Sequence, residues 1–166
     1  MMGKMDNSFY YRGKALVIGN DHYDQMKPDL NNAVNDAKSI HEALQGLGFM
    51  MMPLAIDITT DDFDRLFNEL LGDLAKYDVA VLYYAGHGIE VEGKNYLVMT
   101  EAPVGELAIT TTRRSVDLQE CLSQMHKTGC KMVIIIIDAC RNNPFEGTCE
   151  AGDRSTLPLF LHLKER

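Results

Sequence analysis

Two strongly apolar runs each stop at a reactive residue. Val79 to Tyr84 runs into Ala85-Gly86-His87-Gly88, and Met132 to Ile137 runs into Asp138-Ala139-Cys140-Arg141, so that Cys140 follows His87 by 53 residues. Short, uninterrupted apolar segments mark strands covered on both faces, as in parallel sheets. In open parallel sheets, sites form beyond the carboxyl ends of the strands. The pattern therefore predicts an α/β fold that brings a histidine and a cysteine to one sheet edge, the layout of a cysteine-histidine hydrolase.

The rest of the chain reads as strand alternating with helix. Lys14 to Gly19 is a first buried strand, followed by a polar loop over Asn20 to Asp29. From Asn32, the apolar positions Val34, Ala37, Ile40, Leu44 and Leu47 recur at helical spacing and stop near Gly46 and Gly48. Phe49 to Ile58 reads as a second strand. A threonine or aspartate within Thr59 to Asp62 can cap the next helix, whose face is Phe63, Leu66, Phe67, Leu70, Leu71 and Leu74. After Val79 to Ala85, the alternating stretch Gly88 to Met99 has a small-hairpin composition centred on Gly93-Lys94-Asn95. Leu118, Leu122 and Met125 mark a further helix. Beyond Cys140 only Leu157 to Leu163 has the pattern of another element. This alternation argues a doubly wound α/β sheet with right-handed crossovers.

Composition narrows the function classes. With 166 residues and 46% hydrophobic content, the chain suits one well-buried domain. The net charge of -8 is spread without a basic cluster, which argues against nucleic acid and anionic membranes and mildly favours a cationic partner. Neither a signal-type apolar segment nor a membrane-span length is present, so a cytoplasmic location is expected. Cys121, Cys130, Cys140 and Cys149 form no C-x-x-C pair, and reduced thiols are expected. The five scattered histidines predict no metal, and no cofactor motif is seen.

A thiol attacks only as thiolate, and a neighbouring imidazole both withdraws its proton and later supplies one to a leaving amine. His87 and Cys140 suit those roles. Glycines at 86 and 88 let the chain turn sharply, and the amides of Gly88 and Cys140 suit a developing oxyanion. Cys121 and Cys130 are read as small buried hydrophobes. Asp138 lies two residues before Cys140, on the same side of an extended strand, and Asp36 lies on the first helix. Each has an ordinary role as a strand-end or solvated acid. Together they can also receive a cationic side chain.

Four motifs occur in order: Leu16-Val17-Ile18-Gly19-Asn20 with Tyr23; Asn35-Asp36-Ala37; Leu82-Tyr83-Tyr84-Ala85-Gly86-His87-Gly88; and Asp138-Ala139-Cys140-Arg141. In order and spacing they resemble the caspase-like cysteine peptidases, most closely the paracaspases and bacterial caspase-like domains. The resemblance runs from about Lys14 to Phe145. It implies a three-layer sandwich with a mainly parallel sheet, a catalytic dyad of His87 and Cys140, and an oxyanion site at Gly88. It also implies a pocket in which Asp36 and Asp138 take the arginine or lysine preceding the cleaved bond. The expected organisation is an N-terminal extension over 1–13, a catalytic large-subunit domain over 14–146 and a tail over 147–166, without the small-subunit region that family members carry downstream.

The function expected from these residues is a cysteine endopeptidase acting on polypeptides after Arg or Lys, alone, as a homodimer or with a larger caspase-like partner. Calcium activation has little support, because no acidic calcium loop is evident. Two alternatives stand beside it. One is a non-catalytic or partner-dependent binding and regulatory module, and the other is a caspase-type peptidase specific for aspartate.

Overall fold

The computed structural model describes residues 11–103, 108–140 and 160–163. The sequence-predicted tail at 147–166 lies outside them apart from one short strand, as do most of the expected N-terminal extension and Arg141.

β1 (Gly13–Gly19) is buried at every position, as expected of a central parallel strand. It leads through a loop to α1 (Ala33–Gly46). The next apolar stretch is not one strand. It divides into β2 (Met50–Met51) and β3 (Ala55–Ile56), both parallel to β1, because Pro53 between them has no N–H for the ladder. α2 (Thr60–Asp73) starts at a capping box: the Thr59 hydroxyl accepts from the Asp62 N–H while the Asp62 carboxylate accepts from the Thr59 N–H. Phe63, Leu66, Phe67 and Leu70 are its buried face, and Leu74 continues that face into a 3-10 turn.

β4 (Val79–Val91) is a single strand of 13 residues that passes straight through the glycine-histidine-glycine segment. It returns as β5 (Lys94–Val98), antiparallel, with Val91 opposite Lys94. The connecting pair Glu92-Gly93 has φ of 52° and 77°, the two positive values of a type I′ hairpin, so the turn falls one residue earlier than composition alone placed it. Two short elements that periodicity does not reveal follow, α3 (Ala108–Thr111) and β6 (Ser115–Asp117), the latter antiparallel to β5. α4 (Leu118–Lys127) is capped by Asp117, which accepts from the N–H groups of Gln119 and Glu120. β7 (Met132–Cys140) then pairs parallel with β4, and β8 (Phe160–Leu163) lies antiparallel on its outer edge.

The result is a mixed, mainly parallel sheet with helices on both faces. α2 and α4 cover one face over Leu16, Ile18, Leu82, Tyr84, Ile135 and Ile137. α1 covers the other over Val17, Tyr83 and Ala85, with Ala33 and Ala37 against the sheet. α1 comes very close to β1: a Cβ on Gly19 would lie 2.7 Å from both the Ala33 carbonyl oxygen and the Ala37 Cβ. The helix's expected apolar stripe is shorter than periodicity suggests, since Leu47 lies past its last residue and is 76% exposed. Full burial of each large aliphatic in these layers contributes about 1.5–3 kcal/mol, the main term opposing chain entropy.

Candidate active site

The parallel ladder between β4 and β7 fixes the centre of the site. Its register runs Ala85 with Asp138, Gly86 with Ala139 and His87 with Cys140. Paired residues on neighbouring strands stand about 5 Å apart at the backbone, so the sheet itself brings the two sequence-predicted dyad residues side by side. His87 is half-buried. Burial holds its imidazole below the ordinary histidine range, so the ring is neutral at pH 7 and free to accept a proton.

Backbone alternation also orients the Gly88 amide. The Ala85 carbonyl accepts from the Asn20 N–H on the β1 side of β4, and the His87 N–H donates to the Tyr23 hydroxyl on that same side. Successive residues of a strand turn their polar groups to opposite neighbours. The buried Gly88 N–H is therefore directed to the β7 side, at the last rung of the ladder, next to Cys140.

The two acids lie on the α1 face. Along β7, Val133, Ile135, Ile137 and Ala139 are buried toward α2 and α4, whereas Met132, Ile134 and Ile136 are half-buried on the other face and Asp138 is exposed there. Asp36, in the first turn of α1, is exposed as well. Between them is Tyr83, whose hydroxyl donates to Asp138 at 3.5 Å. Burial pushes the Tyr83 phenol well up, and the negative charges of Asp138 and Asp36 push it further. Tyr83 thus remains a neutral donor between two carboxylates.

Sequence reasoning had no role for the tyrosines that frame this centre. Tyr23, from the loop after β1, is 2% exposed and stacks its ring on His87 at 4.7 Å between centroids, tilted by 59°. Its hydroxyl is 3.2 Å from that of Tyr84, which in turn donates to the Val98 carbonyl at 2.6 Å. The loop bearing Tyr23 is tied at several points. Asp21 accepts from the Ala33 N–H at 2.8 Å, and Asp57 accepts from the backbone N–H groups of Asp21 and His22 and pairs with the His22 ring. Asp57 adopts a left-handed φ of 50° to do so. The Tyr-Tyr pair before the glycines was the available signal: period-two alternation sends one ring to each face.

Among the described residues, no helix is long and apolar enough to cross a membrane, and no group of three His, Cys, Asp or Glu side chains is placed to hold a metal. Cys121 and Cys130 are buried free thiols, and burial pushes Cys121 up to about 12.

A helix-flanked mainly parallel sheet with histidine and cysteine paired at its carboxyl edge defines a caspase-like domain. The chain belongs to the caspase domain family of cysteine peptidases, whose pattern it matches over residues 12–159. Its relatives include a paracaspase of Dictyostelium discoideum, 28% identical over 148 residues, or 84% of this chain and 34% of that protein. The human mucosa-associated lymphoid tissue lymphoma translocation protein 1 is 29% identical over 135 residues, 81% of this chain and 16% of that one. The chain thus spans about a third of the first and a sixth of the second. Among solved structures, the Drosophila initiator caspase Dronc superposes with a TM-score of 0.62 at 17% identity, covering 84% of this chain and 56% of the other.

Proposed function

We propose that the chain carries the catalytic domain of a cysteine endopeptidase that cleaves polypeptides after arginine or lysine, assigned to residues 14–146. The observation that supports it most is the register pairing of His87 with Cys140 at the carboxyl edge of the sheet. In this reading neutral His87 takes the Cys140 proton, and the thiolate adds to the scissile carbonyl. The Gly88 and Cys140 amides hold the oxyanion. The imidazolium then protonates the departing amine, leaving a thioester. Water, deprotonated by His87, adds to the thioester; collapse releases the acid and returns the proton to sulfur. Asp36 and Asp138, with the Tyr83 hydroxyl between them, receive the basic side chain. Aspartate specificity is disfavoured because Lys27, the nearest base in the loop after β1, is already paired with Asp29. Reduced buried thiols suit a cytoplasmic setting.

The test is hydrolysis of fluorogenic peptides ending in arginine, lysine or aspartate. Cys140→Ala and His87→Ala are expected to abolish cleavage, and Asp36→Ala or Asp138→Ala to lower kcat/KM on basic peptides about a hundredfold or more, the cost of stranding a bound charge. Unchanged activity in Cys140→Ala refutes the assignment. A second reading is a module acting only with a partner or a second copy. Turnover that appears only on addition of a partner, or that rises with the square of chain concentration, marks that case.

A further inference from the structure

Tyr23 entered as one letter of a sequence motif, and the chemistry above gives it no part. It is nonetheless the side chain that touches His87 twice. Its hydroxyl accepts from the His87 N–H at 2.8 Å, and its ring leans on the imidazole within the distance and tilt of aromatic pairs. We propose that Tyr23 is a positioning residue for His87: the hydroxyl fixes the backbone at residue 87 and the ring fixes the plane of the imidazole. The proposal rests on the reading of His87 as the base.

The hydrogen bonds fix the direction of the Tyr23–Tyr84 contact. A hydroxyl donates once, and that of Tyr84 faces two carbonyl acceptors, Val98 at 2.6 Å and His87 at 3.0 Å; its proton goes to these carbonyls, the nearer one first, and its oxygen accepts from Tyr23. The Tyr23 oxygen is then left to accept from the His87 N–H. The chain of donors thus runs from His87 through both tyrosines to β5, with every member satisfied. The two hydroxyls also close over residue 86, where a Cβ would lie 2.5 Å from each oxygen. The segment next to His87 therefore has little freedom to shift. Because Tyr23 is buried, it meets no substrate and acts through His87. Burial pushes its phenol up to about 12, so it exchanges no proton during turnover at neutral pH.

The test uses the full 166-residue chain with Tyr23→Phe, which removes only the hydroxyl, and Tyr23→Leu, which also removes the ring. In Tyr23→Phe the His87 amide is expected to exchange with solvent at least tenfold faster, and kcat on arginine peptides to fall about tenfold with KM changed less than twofold. In Tyr23→Leu the His87 imidazole, followed by NMR, is expected to titrate at higher pH as water reaches it, and the acid limb of the pH–rate profile to move with it. A merely structural role would lower the melting temperature and leave the His87 titration in place. Unchanged His87 exchange and titration in folded variants overturn the proposal, and the phenylalanine variant, which keeps ring and volume, decides alone if the leucine variant unfolds. If the wild-type chain cleaves no peptide while the NMR readouts move as stated, the peptidase reading fails and the positioning stands. If it cleaves while they stay still, the reverse holds.

Discussion

Gly86→Ala is expected to cost about 2–6 kcal/mol. The added Cβ would stand 2.5 Å from the hydroxyl oxygens of both Tyr23 and Tyr84 and 2.8 Å from the ring carbon bearing the Tyr84 hydroxyl. Neither ring has anywhere to retreat: Tyr84 is fully buried and Tyr23 is 2% exposed. Forcing a methyl into such packing costs about 1–3 kcal/mol. Moving the rings apart also breaks the bond between the two hydroxyls and leaves one buried group unpaired, another 1–3 kcal/mol or so. For a chain of this size that lowers the melting temperature by about 4–24 °C. The assay is thermal and urea unfolding followed by circular dichroism, beside Gly72→Ala as a control. Gly72 is exposed in α2 with nothing near its Cβ position, so alanine there is expected to stabilise by about 0.5–1 kcal/mol. If Gly86→Ala stays within about 1 kcal/mol of the wild type while Gly72→Ala behaves as stated, the two hydroxyls do not close over residue 86 as described.

Three more outcomes are expected. The hydrogen bond to Asp57 raises the pKa of His22, and nearby Asp29 and Asp21 add to it. Burial pushes Asp57 up, but the His22 backbone N–H, the His22 ring and the Asp21 N–H together bring it below the usual carboxylate range. The His22 contribution is complete below about pH 6.5 and disappears as pH rises through its raised folded value, whereas that of Asp57 is complete above about pH 4 and disappears as pH falls through its lowered one. His22→Ala should therefore lower the urea midpoint at pH 5.5 and leave it nearly unchanged at pH 9, and a larger effect at pH 9 would refute the pairing. Asn20→Ala removes the buried acceptor of the Ile58 N–H at 3.0 Å and is expected to destabilise by about 2–3 kcal/mol in denaturant titration. Cys121, buried and with a suppressed thiolate, should resist iodoacetamide in the folded chain and react fully in urea; rapid labelling of the native protein would contradict its burial.

The strands that carry the site were legible because their runs are apolar on both faces, and the ends of those runs located His87 and Cys140 before any pairing was known. The pairing itself was not legible: a one-residue slip of β7 would set His87 opposite a different residue, and only the three-dimensional ladder decides it. Pro53 was visible in the sequence, yet its division of the second strand into two pairs follows from how β1 bonds on either side of it. Glu92 hid the hairpin position, since glutamate at positive φ is not the usual turn signal. The contact of Tyr23 with His87 joins residues 64 positions apart, beyond the reach of any local pattern.

The unbroken length of β4 bears on the order in which the chain assembles. Its last four residues meet β5 across a two-residue turn, while the stretch before them must find β1 and β7 at separations of 66 and 53 residues, as the pairs Gly13 with Val79 and Val79 with Met132 show. Closing a hairpin takes microseconds, and long loops close more slowly and at greater entropic cost. The hairpin is thus available as a seed on which β1 and β7 dock. On that order His87, next to the pair Gly88 with Leu97, adjoins the seed, while its partner Cys140 lies 53 residues further along the chain.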